Sequence, residues 1–375
     1  SVQSLALVML SSPLNAYKIL SWIVALYAST AIVRLILLTD GNKRVFNHNP
    51  GPCRVLQGLN NGSAGMQFVP HLNIVFITTG LGLKKGSVMM YEMKEENERG
   101  RVHEAIPLSI VPSHSFSTKE FVPFGISSFS AKGRVWLYVV NTHPKHRCVE
   151  VFTFHNNTKT LHHRKSICDY QFTSISSIAV LEVDRFILSR LSYFTHSTLQ
   201  TLELSLQSSL GSLLLFDGNG VSTLQRFAYS PSGLFYDKPR DRLLVSSLMS
   251  EMIQVYIIHR DFSLSHKLDI SLLSSPAGLY VEDKSGDIFG AFQPVMHSLY
   301  SHWTAPSHSR TLSPSQVLRI RIQEDGGSWV VTEPYANDGA TISASHSLVY
   351  AKDRLLIGTL YGKALLCDID YPNLL

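Results

Sequence analysis

Six stretches of the chain open alike, and the residues at those openings decide what chemistry it has to offer. Each opening is a small residue followed by an apolar run, a polar turn and a second apolar strand. The openings fall near Gly62, Gly125, Ser177, Gly233, Gly278 and Ala340, at successive spacings of 63, 52, 56, 45 and 62 residues. That spacing is the length of a β-propeller blade, and the innermost strand of every blade ends at a central tunnel where ligands bind. The residues expected there are Ala64, Gly65, Ser176, Ser177, Ser232, Ala277 and Gly278. None is a carboxylate or an amide, so the tunnel lacks the anionic oxygens on which calcium affinity depends.

Other reactive side chains form no motif. Of the 16 histidines, His162 and His163 are adjacent, so in a strand they point to opposite faces and do not chelate together. His297, His302 and His308 lie in a Ser/Pro-rich insertion and read as solvated loop histidines. His143, Lys145, His146 and Arg147, with His162 to Lys165, flank one hairpin as a basic patch that Glu150 partly offsets. No G-x-S-x-G elbow occurs, so the sequence gives no support for Ser/His/Asp chemistry. Gly80-Leu81-Gly82 precedes strands rather than a helix and is no phosphate loop.

The elements that must position the openings are short strands rich in Val, Ile, Leu, Phe and Tyr. They are separated by turn pairs such as Asp217-Gly218, Asn219-Gly220 and Gly326-Gly327. No long amphipathic helix competes, although residues 192–209 have some helical character. A lone blade cannot hide its faces, so the expectation is an all-β, six-bladed propeller closed into a ring. Closure needs a clasp, because the first and last strands are otherwise free edges. Cys53 and Cys367 stand where that clasp belongs, and a disulfide there is expected; the alternative is two unpaired buried thiols. Cys148 and Cys168 flank a hairpin whose turn lies near residues 156–158, and can pair across it or stay apart.

At 375 residues, 45% hydrophobic and only 16% charged, the chain is a packed protein rather than a disordered one. Its net charge of +5 is spread out, with no run of five or more like charges and no aromatic-interleaved basic motif, which does not suggest a nucleic-acid binder. Residues 19–38 read ILSWIVALYASTAIVRLILL, with Arg34 the only charge. As a helix they span roughly 30 Å, the thickness of a hydrocarbon core. The expected organisation is a tail over 1–18, a transmembrane signal anchor over 19–38, a polar linker over 39–52 and a propeller over 53–375. The alternative for 19–38 is a cleavable signal peptide with Ser29-Thr30-Ala31 at its cleavage region. Against it stand the length of the apolar run and the long, weakly basic segment before it.

Orientation cues conflict. Lys18 precedes the helix while Lys43 and Arg44 follow it, which weakly favours a cytosolic propeller. The glycosylation sequons at Asn61 and Asn156, together with the paired end cysteines, favour a lumenal or extracellular one. We expect the latter, in the endoplasmic reticulum membrane or the plasma membrane.

Several stretches together resemble the paraoxonases, the serum arylesterases and lactonases. They include FVPFGISSFSAKGRVWLYVVNTHP, VEVFTFHNNTKTLHHRKSI, SPSQVLRIRI and YANDGATISASHSLVYAKDRLLIGTLYGKALLCDI, and the likeness is collinear over residues 52–369. The resemblance implies a six-bladed propeller with two calcium ions in its tunnel, an uncleaved N-terminal hydrophobic segment and a Cys53–Cys367 disulfide. Position by position, the family's functional residues are missing. Its acidic pair falls on Ala64 and Gly65, its Asn-Asp pair on Ser176 and Ser177, its tunnel Asn on Ser232, and its Asp-Asn pair on Ala277 and Gly278. The Ile126 carbonyl alone remains of the ligands. The histidine dyad falls on Phe124 and Thr142, with His143 one position away.

Without charge among the donors there is no calcium site, and without the ion or a base nothing polarises an ester or activates water. The expectation is a chain without calcium or any other cofactor and without arylesterase or lactonase activity. The chain also resembles the nematode paraoxonase-like membrane proteins that assist degenerin-type sodium channels in touch sensing. That resemblance implies a non-catalytic, membrane-anchored accessory protein or chaperone with a membrane-protein client. The rival reading is a calcium-dependent hydrolase with displaced ligands.

Overall fold

The computed structural model describes residues 13–41, 43–93, 102–305 and 311–370; His308 and the far ends of the chain lie outside them. Six antiparallel sheets follow one another along the chain. Their innermost strands are Gly65–Val69, Pro123–Ala131, Ile175–Glu182, Pro231–Asp237, Ser275–Val281 and Ser345–Ala351, which we number blades I to VI. Blade II carries a fifth strand, Ser109–Val111, running parallel beside its outer strand Thr160–Cys168.

The ring closes as its free edges require. Cys53–Leu56, near the start of the ring, pairs with Ala364–Asp368, so blade VI is built from both ends of the propeller. Cys53 lies directly opposite Cys367 in that pairing, and the two form a disulfide. Cys148 and Cys168 are likewise opposite each other across a hairpin of blade II and are also joined.

The core is divided among the blade interfaces. Phe76 and Val88 of blade I meet Leu137 and Phe152 of blade II in one apolar cluster. Equivalent clusters fill II/III, III/IV, IV/V, V/VI and VI/I. Each blade therefore buries both faces against its neighbours, and no blade holds a core of its own.

Among the described residues three α-helices accompany the strands, one before the ring and two within it. Pro13–Thr39 is apolar, and its stretch Ala16–Leu37 is long enough to cross a membrane and buries none of its residues in the fold. The helix extends the expected span at both ends. Ser197–Ser205 lies within the segment read as partly helical. Met296–Thr304 corrects the reading of that insertion as loop: it is a helix that buries Met296, Leu299 and His302. His302 is no solvated histidine, since its Nδ1 lies 2.8 Å from the Thr311 carbonyl.

The sixth opening is also corrected. Ala340 is exposed in a turn organised by Asn337, whose side-chain oxygen accepts from the Gly339 and Thr341 amides. The inner strand starts at Ser345, so the tunnel positions of blade VI are His346, Ser347 and Leu348.

Candidate functional site: a tunnel closed by its own side chains

Inner strands begin with small residues because adjacent blades meet there almost backbone to backbone. A Cβ on Gly65 would stand 2.4 Å from the Phe124 carbonyl oxygen, on Gly125 2.7 Å from that of Ser176, and on Gly233 2.1 Å from that of Ala277. On Gly278 it would meet the His346 carbonyl at 2.4 Å. These are contacts no larger side chain tolerates without moving a blade. The small openings are thus set by packing first.

The sequence-expected tunnel residues do assemble. Ala64, Gly65, Ser176, Ser177, Ser232 and Gly278 line a central cavity of about 320 Å³. Ala277 lines a second cavity of about 150 Å³ at the tunnel mouth, beside Ser176, Ser232, Gln293 and His346. Among the described residues, no carboxylate lines either cavity and no three His, Cys, Asp or Glu side chains cluster closely enough to hold a metal.

The polar atoms at the openings bond across the blade boundaries. Thr78 Oγ1 donates to the Phe124 carbonyl at 2.6 Å, joining blade I to II. Ser127 Oγ accepts from the Val180 amide at 3.2 Å, joining II to III. Ser176 Oγ donates to the Pro231 carbonyl at 3.2 Å and Ser177 Oγ accepts from the Leu234 amide at 3.0 Å, both joining III to IV. Ser232 Oγ donates to the Pro276 carbonyl at 3.0 Å, joining IV to V. The Gln293 amide donates to the Ser345 carbonyl and Ser347 Oγ to the Ser63 carbonyl, completing V to VI and VI to I. Every interface thus carries a side-chain-to-backbone bond near the tunnel. As donors for calcium these residues fit poorly: they carry no charge, and the Thr and Ser hydroxyls are already paired across the blade boundaries, which leaves the neutral Gln293 Oε1 as the one buried side-chain oxygen of this set without a partner.

The mouth is apolar. Leu81, Phe124, Leu248, Leu299, Trp303, Leu360 and Tyr361 surround the smaller cavity, and the helix Met296–Thr304 contributes two of them. Phe124 lies over the His346 ring at a centroid distance of 5.3 Å. His346 Nδ1 is 2.7 Å from the Ala64 carbonyl oxygen, which makes it the protonated ring nitrogen. What surface the ring keeps faces the tunnel, and desolvation lowers its pKa from 6.5 to about 4, so it is neutral at physiological pH. No sequence motif marks His346.

The two family histidine positions are not brought together at the tunnel. Phe124 lines the mouth, whereas Thr142 lines a surface cleft with Lys119 and His143, its amide and hydroxyl both directed to the Val122 carbonyl. His143 Nδ1 faces its own turn, 3.4 Å from the Lys145 amide. Ile126 does line the tunnel. Asn61 and Asn156 are both exposed.

A ring of six blades, five of four strands and one of five, tied by a disulfide between its first and last strands, defines a propeller of the arylesterase type. The arylesterase family model matches residues 44–369, and the chain belongs to that family, the paraoxonases. It is 42% identical over 362 residues to Mechanosensory abnormality protein 6 of Caenorhabditis elegans, covering 94% of this chain and 96% of that one. It is 28% identical over 329 residues to serum paraoxonase/lactonase 3 of Oryctolagus cuniculus, covering 85% and 89%. Among solved structures, a luciferin-regenerating enzyme shares the fold at a TM-score of 0.52 and 9% identity, over 85% of this chain and 95% of that one.

Proposed function

We propose that the chain is a non-catalytic, membrane-anchored accessory protein that promotes folding, assembly or surface activity of a membrane partner. The partner proposed is a degenerin-type sodium channel in mechanosensation. The observation that carries this reading is the tunnel itself. Each hydroxyl standing where the family has a calcium ligand is engaged in a bond across a blade boundary, and among the described residues no charged oxygen lines the cavity. On this reading the chain holds no calcium and turns over no aryl ester or lactone. The likeness to a protein named for mechanosensory abnormality supports the physiological setting.

In this proposal Ala16–Leu37 crosses the membrane with the N-terminus in the cytosol, and the propeller stands in the lumen or outside the cell, in the endoplasmic reticulum or plasma membrane. Two disulfides and two exposed sequons support that side. The helix reaches the tunnel-mouth face of the ring, where the Arg34 carbonyl accepts from Gln207 and the Thr39 carbonyl from His297 Nδ1. The mouth therefore faces the bilayer, leaving the sides and opposite face of the ring for a partner.

The test is a lactone and aryl-ester assay on the purified full-length chain with and without chelator, paired with co-purification from native tissue. We expect no turnover in either condition and recovery of a channel subunit. Calcium-dependent turnover would return the chain to the hydrolases of its family.

A further inference from the structure

Outside the tunnel, on the outer edge of blade II, side chains from two strands of a hairpin and from the segment after the fifth strand form one connected chain of hydrogen bonds. Ser113 Oγ lies 2.7 Å from His163 Nδ1, and His163 Nε2 lies 3.0 Å from Glu150 Oε2. The geometry points to Ser113 as a base-activated nucleophile, with His163 as its general base and Glu150 as the residue that positions and charges that base. This inference does not rest on the reading of the tunnel.

The protonation pattern follows from the donors and acceptors. Glu150 is almost fully buried, at 3% exposure, and accepts from Asn141 Nδ2 at 3.1 Å and from Ser166 Oγ at 2.5 Å. An ionised carboxylate only accepts, so the His163 proton stands on Nε2 and points to Glu150. Nδ1 is then the lone-pair nitrogen, and the Ser113 hydroxyl donates to it. That is the nucleophile, base and orienter sequence of a serine triad, with the two ring nitrogens exchanged relative to the common arrangement.

The base is also held in place. The His163 ring stacks on Phe116 at 4.5 Å and 15° and meets the edge of Phe152 at 5.3 Å. A register shift between His163 and Lys165 interrupts the strand pairing there. His163 is buried while its neighbour His162 stays partly exposed, as alternation along a strand requires. Ser113 is half-buried in the segment that follows the fifth strand, so a reagent can approach it from solvent. The missing elbow motif describes only how one other fold exposes its serine. Here the serine comes from a surface segment and the base from a strand.

The electrophiles this arrangement takes are phosphonyl and phosphoryl compounds, whose adduct stays on the serine, so the site captures them once and does not turn them over. Ser113 Oγ attacks the electrophilic phosphorus, its proton passes to His163 Nδ1, and the leaving group departs with the bonding electron pair. Glu150 stabilises the imidazolium so formed.

The test uses an alkyl phosphonofluoridate on the purified full-length chain in excess EDTA, read by intact mass and peptide mapping. Attack forms a P–O bond, breaks P–F and releases fluoride, and the serine proton leaves by way of His163. We expect one adduct, on Ser113, absent from Ser113→Ala at an unchanged melting temperature. Glu150→Gln keeps the side-chain shape and removes the charge. It should slow labelling at least about tenfold while the chain stays folded, a change that a purely structural carboxylate would not produce. No adduct on the native chain, an adduct that survives Ser113→Ala, or a labelling rate indifferent to Glu150→Gln in folded protein each overturns the proposal. Because calcium is chelated throughout, failure here is distinct from any ester turnover at the tunnel.

Discussion

If hydroxyl-to-carbonyl bonds hold the inner strands together, removing them should loosen the ring and calcium should not repair it. The perturbation is the triple variant Ser176→Ala, Ser232→Ala and Ser347→Ala, which removes one bond from each of three interfaces, III/IV, IV/V and VI/I. Each change takes a donor from a carbonyl, of Pro231, Pro276 and Ser63 respectively. An unmet buried acceptor costs about 1–3 kcal/mol, and the lower end applies here because all three serines line the tunnel, where water can take the vacated place. The sites lie at different interfaces and share no partner, so their costs should nearly add, to about 3 kcal/mol. With an unfolding entropy near 2.1 cal/mol/K per residue over roughly 300 ordered residues, 1 kcal/mol is worth about 1.5 °C, so the triple variant should melt about 5 °C lower. The assay is a calorimetric or fluorescence melt in EDTA and again in millimolar calcium. Both curves should coincide for the native chain, and calcium should restore nothing to the variant. The reasoning fails if calcium raises the native melting temperature, or if the variant melts with the native chain.

Three further outcomes follow from the same structure. The disulfides should differ in worth, because Cys53–Cys367 spans 314 positions and Cys148–Cys168 only 20. Chain entropy sets ceilings of about 5–6 and about 3 kcal/mol, so non-reducing urea titration should find Cys53→Ala/Cys367→Ala the weaker protein by up to about 2 kcal/mol. His346 should make the fold acid-sensitive. With its native pKa depressed from 6.5 to about 4, the unfolded chain binds the extra proton first, so stability is full above pH 6.5 and falls as pH drops toward 4. The loss is at most about 3 kcal/mol, and denaturant titrations of His346→Gln should show that limb flattened. Asn61 and Asn156 should both carry glycans if the propeller is lumenal, so endoglycosidase should remove two mobility steps, one of them lost in Asn156→Gln. Unchanged mobility together with free Cys53 and Cys367 on thiol labelling would place the propeller in the cytosol.

The number of blades and the clasp could be read from the sequence because they depend on local pattern and on topology. Apolar runs recur at blade spacing, and a ring must be closed somewhere between its first and last strand. The outer strands were harder to read. Leu264–Ser271 is largely exposed and polar, so neither alternation nor an apolar run marks it. Ala340 resembles an opening because a small residue after Asp338-Gly339 looks the same in a turn as at a strand start, and only the pairing of Ser345 with Thr359 distinguishes them. The helix Met296–Thr304 escaped because its content of Ser, His and Thr reads as loop, while its buried face is defined by a tunnel mouth that no local window contains.

The site shows the same division more sharply. That the openings carry no carboxylate is a property of single positions and is plain in the sequence. What the serines do instead is a property of pairs 44 to 284 positions apart, such as Ser232 with Pro276 and Ser347 with Ser63. A serine in place of an asparagine or aspartate, read alone, is only a lost ligand. In the ring it forms a bond across a blade boundary, since a hydroxyl at that spot reaches the next blade's carbonyl without needing an ion between them. Glu150, His163 and Ser113 make the converse case. The first two read as parts of a solvated basic hairpin, and it takes a parallel fifth strand arriving from residue 109 to bring a hydroxyl to the imidazole. On the proposed reading, loss of chemistry at the tunnel is written in residue types, whereas any new chemistry on this fold is written in contacts between blades and edges, where a sequence motif search does not look.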